Sequence, residues 1–254
     1  MRHVLSACVA TALLIAGTLA ATAQNAPHRP QPPPPAPYKP VAIVPPKPMD
    51  DAGFDALRKQ LDEISQRKDR AGLAPLVVAQ GFFWQREGGN RANKRKSGID
   101  NLATALGLNN KDGAGWEILF SYSDDPTASA LPGHQGAVCA PAEPAFNAQE
   151  FAGLLKATQT DISEWGYPVS AGIEVHATPQ ANAPVIEQLG LTFVRVSPES
   201  TRGSAAYVRI VTPAGKAGFV SVDAIAPTGN DQLCYVKDGS AWKIGGYIGG
   251  GEPQ

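Results

Sequence analysis

Two cysteines lie beyond the first eight residues, Cys139 and Cys234, and two chemistries are open to them. A Cys139 thiolate with His134 or His176 as its base would be a nucleophile. The surrounding Ala137-Val138-Cys139-Ala140-Pro141 does not resemble the helix-start setting in which such thiolates are usually activated. In an oxidising compartment the alternative is a Cys139–Cys234 bridge, and that is the expectation. Closing a loop of this length would stabilise by roughly 4 to 5 kcal/mol in the chain-entropy model.

Other reactive patterns fail on their companions. Ser65-x-x-Lys68 and Ser240-x-x-Lys243 have a spacing at which lysine can activate serine, but no Lys-Thr-Gly or Ser-x-Asn element accompanies them. Neither His-Glu-x-x-His nor Gly-x-Ser-x-Gly occurs. Asn110-Lys111-Asp112-Gly113 would place Leu108 at the first ligand position of a calcium loop. Asp124-Asp125-Pro126 reads as a loop or helix cap. The glycines from Gly245 to Gly251 follow a strand pattern but precede no helix, so they make no phosphate cradle. His134 and His176 alone are a poor zinc set. The expectation is therefore no catalytic residue, no metal and no cofactor.

The 254 residues are 43% hydrophobic and 18% charged, with net charge −1, which excludes a basic nucleic-acid binder by bulk charge. Arg86, Arg91, Lys94, Arg95 and Lys96 form a local basic run, a possible contact for an anionic polymer. Residues 49–165 nonetheless carry 12 basic against 16 acidic side chains, and no aromatic residue interleaves the run. A solvated loop is the expectation.

The elements that would position these residues follow from pattern. Residues 1–23 read as an export signal: Arg2, an apolar run from Val4 to Ala20, and Ala21-Thr22-Ala23 as a cleavage site. The mature chain is then periplasmic or secreted, with no stable membrane span. Residues 24–48 read as a disordered proline-rich spacer, with 11 prolines among the 22 positions from Pro27 to Pro48. Asp51 can cap a helix whose apolar stripe is Phe54, Leu57, Leu61 and Ile64. A second helical piece follows Asp69, and a strand or buried turn is expected at Phe82-Phe83-Trp84. Ser97 and Asn147 start further helices. Residues 49–165 thus form a mostly helical domain.

Beyond Trp165 short β-rich runs alternate with Pro and Gly. Glu174-Val175-His176, Pro184-Val185-Ile186 with Leu189, Tyr207 through Ile210, and Gly215 through Val220 occur in one order. That order resembles a bacterial Src-homology-3-like (SH3-like) domain over residues 169–226, within boundaries 166–228. The resemblance implies a small β-barrel whose groove binds a peptide, glycan or envelope protein, with Tyr207, Arg209, His176 and Glu174 near it. His176 and Phe219 depart from the family's usual Arg and Trp.

Residues 229–254 read as a hairpin about Asp238-Gly239 and a glycine-rich tail. The whole layout resembles an uncharacterised family of exported bacterial proteins. Leu57, Leu61, Lys68-Asp69, Leu73 and Leu76-Val77 match its helical region, and Gly239, Trp242-Lys243-Ile244, Tyr247-Ile248 and Gly249 match its final hairpin. The fold implied is α+β: a mostly helical amino-terminal region, an SH3-like barrel, and a carboxyl-terminal hairpin packed back on the amino-terminal region. The function implied is non-enzymatic envelope binding. A cell-wall hydrolase with a site near Cys139 and His134 is one alternative, and a structural or stress-associated protein is another.

Overall fold

The computed structural model describes residues 35–86, 89–197 and 206–249. The expected export segment 1–23, the spacer as far as Pro34, the stretch Pro198 to Ala205 and the tail from Gly250 lie outside the described residues.

An extended entry segment carries β1 (Ile43–Val44). Asp51 then caps α1 (Ala52–Arg67) by accepting from the backbone N–H groups of Gly53 and Phe54. Phe54, Leu57, Leu61 and Ile64 are its buried stripe, as their spacing requires. Asp69 caps the short α2 (Arg70–Leu73), which continues as a 3-10 turn over Ala74–Leu76. Strands β2 (Phe83–Arg86) and β3 (Gly89–Asn90) precede α3 (Gly98–Leu106), where the Ser97 hydroxyl accepts from the Asp100 N–H. Next come α4 (Ala114–Asp124), β4 (Ser129–Ala130), β5 (Val138–Ala140) and β6 (Ala145–Phe146). Asn147 caps α5 (Ala148–Thr158). A run of strands follows: β7 (Trp165–Pro168), β8 (Ile173–His176), β9 (Val185–Leu189) and β10 (Val194–Val196). It continues with β11 (Tyr207–Val211), β12 (Ala217–Ser221) and β13 (Ile225–Pro227). The last hairpin is β14 (Gln232–Asp238) and β15 (Ala241–Ile248).

That hairpin is the centre of a six-stranded sheet of order β3-β2-β15-β14-β5-β4. β15 pairs parallel with β2, and β14 pairs antiparallel with β5. Packing of the last hairpin on the amino-terminal half is therefore strand insertion rather than surface docking. Helices α1, α3 and α4 cover the sheet around Phe54, Leu61, Leu102, Leu119, Leu233, Tyr235 and Ile244. Residues 49–165 do contain α1 to α5, but they also supply β2 to β5. The strand-or-turn expected at Phe82-Phe83-Trp84 is the strand β2, whereas Val138 to Ala140 becomes a strand only because the distant hairpin offers it a partner, which a short apolar run does not announce. Gly246 lies opposite Phe83 in the β15–β2 ladder, and a Cβ at Gly246 would strike the Phe83 ring. The glycine cluster is partly a close-packing device.

The second sheet has seven strands in the order β13-β7-β10-β11-β12-β8-β9, all antiparallel. Val175, Val194, Ile210 and Val220 fill its interior, and their same-strand neighbours two residues away, Ile173, Val196 and Val208, pack against them. The closed barrel expected here is not formed among the described residues: β9 and β13 end the pairing order as its two edges. The α+β class holds, with five α-helices and two large sheets among the described residues.

The spacer expected to run to Pro48 is built into the fold from Tyr38. Val41 and Ile43 are buried with Phe151, Trp165 and Phe193. β1 pairs with β6, the Ile43 N–H donates to the Leu191 carbonyl, and the Phe193 N–H donates to Val41. The physical reason is local. Val41-Ala42-Ile43-Val44 is an apolar, β-prone run bracketed by Pro40 and Pro45, and proline density averaged over 22 positions hides it. From Pro35 on, the described layers form one compact unit.

Candidate functional site

The four side chains expected near a groove share one face. On β11, Val208 and Ile210 point into the interior of the seven-stranded sheet, so Tyr207 and Arg209 point out. Arg209 pairs with Phe219, and Phe219 pairs with His176. The His176 and Tyr207 rings meet edge to face at 6.4 Å. His176 Nδ1 lies 3.0 Å from the Ala183 carbonyl, which makes Nδ1 the protonated nitrogen, and Nε2 lies 4.0 Å from Glu174 Oε2. The sheet thus brings Glu174, His176, Tyr207 and Arg209 together.

The thiol–imidazole alternative does not assemble. Cys139 and Cys234 face one another across β5 and β14 and form a disulfide, with both residues buried. The Cys139 sulfur is therefore no nucleophile while the bridge stands. His134 is stacked on the Phe83 ring at 4.2 Å, and His176 belongs to the other sheet. Lys243 is taken by Asp238 at 2.7 Å rather than by Ser240. Among the described residues no three His, Cys, Asp or Glu side chains gather as a metal-ligand set.

A cavity of ≈ 640 Å³ lies elsewhere, at the seam of the two sheets. That is within the range typical of small-ligand and peptide-anchor pockets, roughly 300–1,000 Å³. Tyr122 of α4 and Tyr247 of β15 reach it from the six-stranded side, and Tyr167 of β7 with Pro227 of β13 from the seven-stranded side. Pro45, Pro46 and Pro141 complete an apolar wall. Ile118 and Val169 stand at it 40% and 48% exposed, two of the few large apolar side chains left open to solvent.

The polar groups form a short chain. The Tyr247 hydroxyl donates to Asp231 Oδ2 at 2.7 Å, and Tyr122 donates to the Tyr247 oxygen at 3.5 Å. Burial pushes the Tyr122 phenol up to about 12, with the hydrogen bond to Tyr247 acting the other way. Burial also pushes Tyr167 up to about 12, helped by the nearby charges of Glu143 and Asp125. Tyr247 is raised further by burial and by the neighbouring Tyr122 and Asp231. All three phenols stay neutral throughout the physiological range, so they offer hydroxyls and ring faces rather than charge.

Asp125 accepts from the Thr127 N–H at 2.7 Å and the Thr127 hydroxyl at 2.6 Å, both through Oδ1. Glu143, beside Asn230, is raised by burial, partly offset by the Asn230 backbone N–H. Tyr235 is fully buried in the field of Asp125 and Tyr122, and its hydroxyl has no hydrogen-bond partner among the described residues.

Sequence reasoning missed this site. Tyr122, Asp125, Tyr167, Asp231 and Tyr247 spread over 125 positions, and only the sheet pairings gather them. Asp125 carried a signal, but as a loop or cap residue, which it also is. No family model, curated protein or solved structure matches the chain.

Proposed function

We propose that the chain is an exported, non-enzymatic envelope protein that binds an extended peptide in the cavity between its two sheets. The observation that carries this reading is the convergence of Tyr122, Tyr167 and Tyr247 with four prolines on one cavity of ≈ 640 Å³. Aromatic rings in a proline-walled groove suit a chain already extended, which loses little entropy on docking. Among the described residues the lining holds no histidine, cysteine, lysine or arginine, and its two carboxylates, Asp125 and Asp231, already accept hydrogen bonds from Thr127 and Tyr247. Export rests on the signal-like segment, and the Cys139–Cys234 bridge supports an oxidising compartment. On this reading β7 to β13 are an SH3-like module whose edge helps to wall the cavity.

A second reading places the partner on the outer sheet face, favoured by the shared orientation of Tyr207, Arg209, His176 and Glu174. Hydrogen exchange separates the two. The mature chain is exchanged with and without a synthetic library of proline-containing peptides, and in parallel with soluble glycan oligomers. Added protection within α4 and around 226–231 with peptides is the expected result. Protection confined to β8 and β11 would move the site to the sheet face, and protection by glycans alone would overturn the peptide reading.

A further inference from the structure

We infer, building on the reading of the cavity as a peptide site, that its occupant is a basic peptide whose lysine or arginine is seated beside Asp125 and Asp231. The argument is charge complementarity. Among the described residues the charged side chains on the cavity wall, Asp125 and Asp231, are both acidic, although the chain as a whole carries only −1. Glu143, close enough to act on the Tyr167 phenol, adds a third carboxylate behind that wall. Among the described residues neither Asp125 nor Glu143 takes part in an ion pair, whereas nine other carboxylates do.

The geometry at Asp125 fits the same occupant. Both Thr127 bonds use Oδ1, and Oδ2 accepts no hydrogen bond among the described residues. Tyr122, Tyr167 and Tyr247 line the same cavity, and a neutral phenol ring attracts a cation. Ile118 and Val169 provide apolar surface for the aliphatic stem of a long basic side chain. A cation held there, half out of water, would feel the carboxylates more strongly than at an open surface.

Isothermal titration of the full mature chain tests this with two decapeptides on one proline-containing frame, one bearing lysine and the other norleucine. The lysine peptide should bind about tenfold more tightly, as expected for one charge-assisted hydrogen bond in a partly buried site. Its advantage should shrink as sodium chloride is raised. Asp125→Asn keeps an amide oxygen for Thr127 and should bring the two affinities within about threefold. Ile118→Lys, at a solvent-exposed position of α4, should weaken the lysine peptide selectively, with an unchanged melting curve reporting an intact fold. Equal affinities in the wild-type chain would overturn the basic-peptide inference and leave the peptide site standing. Binding of neither peptide would overturn the cavity reading itself.

Discussion

Asp51 has two roles at once. Its carboxylate caps α1, and it pairs with Lys237 of β14 at 3.1 Å, so it ties the first helix to the last hairpin. The hydrogen bond from Lys237, followed by that from the Phe54 N–H, lowers its pKa from 3.8 to about 2. A carboxylate lowered in the folded state adds stability above its unfolded value and loses it as pH falls towards the folded one. The Asp51 contribution is therefore complete above pH 3.8 and lost between there and about pH 2. Asp51→Asn keeps a good helix cap and removes the titration. Its urea midpoint should fall less steeply than that of the wild type over that window. Parallel curves would show that Asp51 does not titrate with folding. At this scale the sequence was uneven. The cap was legible because a cap and its helix are neighbours, and the bridge because Cys139 and Cys234 had only each other. The cavity tyrosines were not, since each sits in an apolar pattern that equally describes a core residue.

Elements succeeded where their stabilising contacts are local and failed where they are distant. The stripe of α1 and the β14–β15 hairpin are local, and both could be read directly, although the turn falls at Gly239–Ser240, one residue beyond the expected Asp238-Gly239. β1 and β5 owe their strand character to Phe146, Leu191 and Cys234, far along the chain. Gly98 shows how such contacts overrule propensity. It starts α3, where alanine would gain up to about 1 kcal/mol of helix preference. A Cβ there would collide with the Val78 carbonyl oxygen, and Gly98 N–H already donates to Ala79. Overpacking typically costs about 1–3 kcal/mol, so Gly98→Ala should destabilise the fold in urea despite its better propensity. A gain in stability would mean that the 78–79 segment gives way. The bridge acts at the same scale, closing a separation of 95 residues between β5 and β14. Cys139→Ala with Cys234→Ala should lose about 4–5 kcal/mol in the chain-entropy model. Alkylation of the unreduced chain should label neither Cys139 nor Cys234.

For the whole molecule, the entry segment from Tyr38 to Pro46 matters most. It runs from the seven-stranded sheet, where the Tyr38 hydroxyl donates to Val211 at 2.8 Å, to the cavity wall at Pro45 and Pro46. Together with the inserted hairpin, it makes the seam between the sheets a built surface rather than a gap between two domains. The decision between that seam and the outer sheet face falls to paired affinities for the lysine decapeptide. Ile118→Lys should weaken binding by about tenfold, consistent with a like charge placed beside a bound cation, while Tyr207→Ala should leave it unchanged. The reverse pattern, loss with Tyr207→Ala and none with Ile118→Lys, would contradict a cavity site and place the partner on β8 and β11.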